Sequence, residues 1–276
     1  MKEKISQNSH YARLRRRYRD TKSFSSRSAS CLKKATLPLQ QRTIHLYGIH
    51  AVHAALKNPK RIFSGLYVTS NALKRLNIPE SDLPCAITLC SPKQLDALVG
   101  SDAVHQGVVV ETIPLQSCQL SELTNTDLVI VMDQITDPHN VGAIMRSAVA
   151  FKAGALITTC RHSPQESGVL AKAASGALEM INYITVRSLA ETLHELHKAG
   201  FISFGLDSEG EYPLEIALTG RKIALILGAE GKGLRKKTRE TVCALTRLDV
   251  PGNIKSLNVS NAATIALYAT HKYLRS

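Results

Sequence analysis

The segment Leu227 to Arg235, LGAEGKGLR, follows an apolar run and holds three glycines, Gly228, Gly231 and Gly233. Without Cβ atoms the backbone there can turn sharply and approach a ligand closely. It lacks the GK[ST] ending of a P-loop and the GxGxxG of a dinucleotide site, which leaves nucleoside triphosphate and NAD weakly supported. Glu230 is the informative residue: a carboxylate at the mouth of such a loop repels phosphates but helps to hold an arginine or a sulfonium. A second segment, Asp133 to Ala148, reads DQITDPHNVGAIMRSA. Pro138 confines Asp137 to an extended conformation, Asn140 is placed to cap the following helix, and Arg146 falls about two turns into it. A third, Gly252 to Tyr268, reads GNIKSLNVSNAATIALY, with Ser256, Asn258 and Ser260 alternating before an Ala-rich helix. Each polar residue also has an ordinary structural use, Asn140 or Ser260 as a cap and Arg146 as a surface cation. Ser256 and Asn258 share a strand-like face that a single cap does not require.

These segments sit in a pattern of alternating strands and helices that predicts a parallel sheet. Strands are expected at 128–132, 155–159, 182–186, 201–206 and 222–227, and helices near 140–152, 168–178, 188–199 and 259–274. In such sheets ligands bind outside the carboxyl ends of the strands, here the loops after residues 132, 206 and 227. Ahead of this lies a smaller α/β unit. GIHAVHAAL at 48–56 reads as a helix ended by Asn58 and Pro59, strands are expected at 65–69, 86–90 and 107–112, and SPKQLDALV at 91–99 begins with a Ser cap and a first-turn Pro. The division is therefore 1–43 basic extension, 44–113 small α/β unit, 114–126 connector with Pro114 and several Ser, Thr and Asn, and 127–276 larger α/β unit.

The chain of 276 residues is 44% hydrophobic and 21% charged, the composition of a globular protein. Its longest apolar runs, LVIVM and IALIL, are far short of a transmembrane helix. Six cysteines without a CxxC pair or Cys/His ligand spacing argue against a disulfide scaffold and a zinc site, and read as free thiols in a reducing compartment. No metal is expected. Of the thirteen net positive charges, nine come from residues 1–40, where eleven basic side chains face only Glu3 and Asp20. This Ser-rich, apolar-poor tail is expected to be disordered when free. RLRRRYR at 13–19 would attract phosphates, with Tyr11 or Tyr18 available to stack on a base, and the salt dependence of RNA binding should flatten without the tail. A solubilising extension or an organelle transit peptide are the other readings of the same composition.

DPHNVGAIMRSA, LGAEGKGL and SLNVSNAA, in this order in one chain, resemble the signature motifs of the SpoU family of RNA 2'-O-ribose methyltransferases in the SPOUT superfamily. LYGIHAVHAAL and AVHQGVVV are similar to the ribosomal-protein-like RNA-binding domain of the bacterial subgroup acting on a guanosine of large-subunit rRNA. The resemblance covers roughly residues 44–275 and leaves the tail unmatched. It implies an α/β catalytic domain with a C-terminal trefoil knot, S-adenosylmethionine as cofactor, rRNA as substrate, and a homodimer with the RNA site shared between protomers. It further implies Asn140, Arg146, Glu230, Ser256 and Asn258 as the active-site set, with the cofactor on the backbone at Gly228, Leu248 and Leu257. A bacterial cytoplasmic location follows, with the mitochondrial matrix as alternative.

Methyl transfer from a sulfonium to a hydroxyl is an in-line displacement that demands alignment and removal of one proton. Arg146 is the family's leading candidate base. Because arginine stays protonated in proteins, the easier role is to orient phosphate and ribose, with Glu230 and Asn140 expected to fix its guanidinium. The chain departs from the family where Leu248, Asp249, Val250 and Pro251 precede Gly252 in place of a Pro-Met pair. Two other readings remain at this level, 2'-O-methylation of tRNA and a non-catalytic RNA-binding ribosome-assembly factor.

Overall fold

A computed structural model describes residues 43–123, 125–253 and 256–276. The basic tail and Tyr11, Tyr18 and the RLRRRYR run lie outside the described residues.

The small sheet comprises β1 (Ile44–Tyr47), β2 (Phe63–Val68), β3 (Ile87–Leu89) and β4 (Val108–Thr112) in the order β1-β4-β2-β3, with β2/β3 parallel and the other pairs antiparallel. Its helices are α1 (Ile49–Leu56), α2 (Ser70–Leu76) and α3 (Pro92–Val99). Ser91 and Gln94 close a capping box at the start of α3. The strand β1 and helix α2 were not anticipated: four residues around a single His carry too little period, and SNALKRL buries only Ala72 and Leu76.

The large sheet is wholly parallel. Its strands are β5 (Leu128–Asp133), β6 (Ala155–Thr159), β7 (Asn182–Val186), β8 (Ile202–Leu206), β9 (Tyr212–Pro213), β10 (Ile223–Gly228) and β11 (Ala244–Arg247), ordered β7-β6-β5-β10-β8-β11-β9. The helices are α4 (Pro138–Ala150), α5 (Gly168–Ala174), α6 (Leu189–Lys198), α7 (Leu214–Ala217), α8 (Lys236–Thr241) and α9 (Val259–Arg275). Leu128, Ile130 and Met132 of β5 and Leu225 and Leu227 of β10 enter the core under α4, α5 and α9. The alternate residues Val129, Val131, Ala224 and Ile226 enter a second core under α6. Both faces are covered, which is why β5 and β10 read as unbroken apolar runs.

The first core is continuous from the small sheet into the large one, through Leu46, Val52 and Leu66 to Ile144 and Leu170. Close backbone packing joins them: a Cβ on Gly168 would lie 2.5 Å from the His45 carbonyl oxygen. A buried cation spans the same junction. Arg61 donates from Nη2 to Glu179 Oε1 (2.6 Å), from Nε to Glu179 Oε2 (3.0 Å), and from Nη1 to Glu166 and to the Ile113 carbonyl. Burial pushes the Glu166 carboxyl above the usual carboxylate range, against the pull of Arg61. The segment after β4 runs along the large sheet's edge, where Ser117 Oγ donates to the Tyr183 carbonyl and accepts from Thr185 N.

Two expectations need correction. Asn140 does not cap α4. The cap is Asp137, whose Oδ1 accepts from His139 N at 2.9 Å, and Pro138 opens the helix because its missing N–H costs nothing there. The helix expected over 168–178 stops at Ala174, since Ser175 and Gly176 take positive φ (51° and 97°), and a single 3-10 turn, Ala177–Glu179, follows.

Candidate active site

The strand order reverses between β5 and β10. From β5 the chain runs outward through β6 and β7 on one side; it then crosses to the other side, lays down β8, and returns to insert β10 between β8 and β5. Chains leaving β5 and β10 at their carboxyl ends part there and open a crevice. Asp133 and Gly228, partners in register, mark its floor.

From Gly228 the chain makes a tight return. Gly233 N donates to the Ala229 carbonyl at 2.8 Å, and Gly231 and Gly233 take φ of 74° and 63°. A Cβ on Gly228 would lie 2.3 Å from the Gly233 carbonyl carbon and 2.5 Å from Leu234 N, so this glycine is required by the chain's own return. The return is pinned from below by Asp133, a fully buried carboxylate whose two oxygens accept from Arg235 N (3.0 Å) and Arg235 Nε (2.6 Å). Neither Asp133 nor Arg235 stood out in the sequence. The available signal was an acid ending an apolar strand, which must find a donor when buried. Gly228→Ala should displace this turn, lowering stability by about 2 kcal/mol and removing Glu230 from its partners. Urea denaturation together with a methyl-transfer assay checks this, and wild-type values in both would contradict the close return.

Held on that turn, Glu230 Oε1 accepts from Asn258 Nδ2 (2.7 Å), Asn140 Nδ2 (3.2 Å) and Val259 N (3.3 Å). Asn258 Nδ2 also donates to Asn140 Oδ1 at 3.0 Å, while its own Oδ1 accepts from Ser260 N at 2.9 Å and caps α9. Three residues separated by 90 and 28 positions thus form one exposed, hydrogen-bonded cluster. Asn258 is both the cap and a member of the cluster, uses that the sequence presented as competing.

Arg146 does not join them. It is exposed and makes no hydrogen bond or ion pair within the described residues, and Glu230 spends its Oε1 on amide donors. The helix explains this: six residues from Asn140 advance about 9 Å and turn roughly 120° away from it. The neighbouring Ser147 faces α9, at 2.7 Å from Thr264 Oγ1. The expected clamp of Glu230 and Asn140 on the Arg146 guanidinium is therefore absent in the single chain. Ser256 is exposed without a hydrogen bond among the described residues, and no strand forms at 256–258 to give it a shared face with Asn258. Leu248 is half-buried two residues beyond Thr246, which pairs with Leu206 at the end of β8, and Leu257 is 37% exposed immediately before Asn258.

The switch point of a parallel α/β sheet, where this cluster stands, is the place at which proteins of the doubly wound class bind small ligands. The model of the SpoU rRNA Methylase family matches residues 127–268, and that for RNA 2'-O ribose methyltransferase substrate binding matches residues 45–118. The chain belongs to the SpoU rRNA methylase family. It is 37% identical over 233 residues, 81% of this chain and 93% of the relative, to the 23S rRNA (guanosine-2'-O-)-methyltransferase RlmB of Ralstonia nicotianae. The enzyme of the same name from Escherichia coli is 33% identical over 81% of this chain and 96% of its own length. Among solved structures, the SpoU methyltransferase AviRb from Streptomyces viridochromogenes, crystallised with AdoMet, superposes with a TM-score of 0.72 at 21% identity, covering 85% of this chain and 91% of that one. An rRNA methyltransferase from Sinorhizobium meliloti gives 0.71 at 20% identity, covering 85% and 89%. These likenesses establish the fold. Among the described residues no helix is long and apolar enough to cross a membrane.

Proposed function

We propose that the chain transfers a methyl group from S-adenosylmethionine to a ribose 2'-oxygen of large-subunit rRNA, at a guanosine, in the bacterial cytoplasm. The observation that carries this reading is the joining of Asn140, Glu230 and Asn258 in one cluster at the switch point, in a chain whose aligned relatives bear that activity in their names.

The residues suit the cofactor. Leu248, just past β11, and Leu257, just before α9, offer partly exposed apolar surface, and Glu230, on the turn after Gly228, supplies a carboxylate that would face a sulfonium. When bound, S-adenosylmethionine supplies an electrophilic methyl group. The protein's task is alignment, for which Asn140 and Asn258 are fixed by Glu230 before substrate arrives. Ser256 is free to hold the hydroxyl or its loop. Residues 44–113 serve as the RNA-binding unit, joined through 114–126 to the catalytic unit, 127–276. The family's trefoil knot falls between β10 and α9 on this reading. Close main-chain passages at Gly228, and at Gly210, where a Cβ would lie 2.3 Å from the Thr246 carbonyl carbon, support that path.

The chain works as a homodimer. Ile265 and Tyr268 expose 43% and 55% of their surface on α9, beside α4, and Arg146 projects from α4 away from its own cluster. Pairing across this face would let Arg146 orient the phosphate and ribose in the partner's site. Incubation of the protein with labelled S-adenosylmethionine and unmodified rRNA or tRNA tests the function. Label should appear on a ribose 2'-oxygen of large-subunit rRNA. Label confined to tRNA would change the substrate, and none on any RNA would favour an assembly factor.

A further inference from the structure

A second feature lies on the same edge of the sheet, where β7 ends and α6 and α8 begin. A cleft of about 160 Å³, open to solvent, is lined by Arg187, Arg235 and Lys237 together with Ser188, Thr238 and the apolar start of α6; no lining residue is acidic. The cations differ in how they are held. Arg235 is oriented through its Nε by the buried carboxylate of Asp133, and its terminal nitrogens have no partner among the described residues. Arg187 and Lys237 are exposed, and no carboxylate lies within ion-pair distance of either among those residues. Their neighbours are already engaged, Lys236 with Glu240 at 3.9 Å and Arg239 with Asp207.

Asp133 balances Arg235, but Arg187 and Lys237 leave the depression net positive, a field that favours an entering anion. A guanidinium whose Nε is tied down and whose terminal N–H groups are free matches a phosphate, which accepts parallel hydrogen bonds. The place is equally telling. Asp133, which holds Arg235, is the last residue of β5 and pairs with Gly228, where the turn carrying Glu230 begins. Strand β7 is three positions from β10 in the sheet. At ~4.8 Å per strand this is roughly 14 Å, within reach of one RNA segment.

We propose that this cleft is a subsite for a backbone phosphate of the substrate RNA, outside the nucleotide that is methylated. The proposal rests on the methyltransferase reading for the identity of its ligand. The cleft positions the strand and reads no base, since its donors match phosphate oxygens.

The test compares the full chain with the double variant Arg187→Gln/Lys237→Gln, leaving Arg235 intact because it also supports the turn. Binding to deproteinised, unmodified large-subunit rRNA is measured across a salt series, with steady-state methyl transfer and S-adenosylmethionine affinity alongside. A control pair, Lys198→Gln/Arg221→Gln, removes two exposed cations from the opposite end of α6 and the amino-terminal edge of β10. RNA affinity and KM should worsen about tenfold in the double variant, with the salt slope smaller by about 0.7 for each phosphate no longer neutralised. Cofactor affinity should not change, and the control pair should bind RNA like the wild type. Wild-type affinity and slope in the double variant, or an equal loss in the control pair, would overturn the subsite. Weakened binding to intact large-subunit particles but not to bare rRNA would assign the cleft to an acidic protein surface and overturn it too. A wild-type protein that transfers no methyl group would instead sink the enzymatic reading, and the binding comparison would still decide the subsite.

Discussion

Arg146→Ala is expected to lower methyl transfer to rRNA on the order of 10³-fold, the scale of a removed transition-state interaction, while S-adenosylmethionine binds with wild-type affinity. The side chain is exposed on α4 and unpaired within the described residues, so its loss disturbs no packing and the melting temperature should stay within about 2 °C of wild type. Its direction away from the Asn140, Glu230 and Asn258 cluster adds a sharper expectation. Mixing Arg146→Ala with Glu230→Ala should restore activity, because heterodimers would hold one site built from an intact Glu230 and the other protomer's Arg146. Restoration should approach a quarter of wild type if subunits exchange at random and one site suffices. No recovery despite demonstrated exchange would put Arg146 back in its own subunit's site. Equal losses of turnover and cofactor affinity in the single variant would mark it as a folding residue.

Arg61→Met should be the most destabilising of the substitutions considered, by about 3–5 kcal/mol near neutral pH. The side chain is fully buried between Glu179 and Glu166, which are themselves 5% and 10% exposed, and a methionine of similar volume would leave two carboxylates facing each other without a counter-charge. Glu166, which burial already holds above its ordinary value in the wild type, would be pushed further up once the pull of Arg61 is gone. A group whose folded pKa is raised contributes stability below its unfolded pKa, lost as pH rises through the folded one. The deficit should therefore shrink on going from about pH 7.5 to about pH 5. Denaturant titrations at both values measure it, and adding Glu166→Gln and Glu179→Gln should recover much of the loss. A deficit independent of pH would mean that packing, not charge, makes Arg61 matter. Because Asn58, Arg61 and Ile113 belong to the small unit and Glu166 and Glu179 to the large one, protease sensitivity near 114–126 should rise in the single variant.

Much of the large sheet was legible because its strands are buried on both faces and its helices carry clear stops. The expected bounds of β6 and β7 coincide with those observed, and β5 and β10 differ only at their ends. Short or weakly patterned pieces were not, such as β11, with only Thr246 fully buried, and α8, with only Thr238. Asn140, Glu230 and Asn258 were singled out by the resemblance of the three segments to the SpoU signatures, whereas residue type alone left Asn140 an ordinary cap.

Which of those residues touch is another matter. The chain itself determined the alternation of strand and helix, the family to which it belongs, and the loops where chemistry would sit, because periodicity and residue type are local properties. Only the tertiary structure decided that Glu230 binds two asparagine amides in place of a guanidinium, that Arg146 turns from its own cluster, and that Asp133 underpins the turn through Arg235. Those outcomes depend on helical phase, on the pairing of β5 with β10, and on the need of a buried charge for a donor, and none of these is a function of neighbours along the sequence.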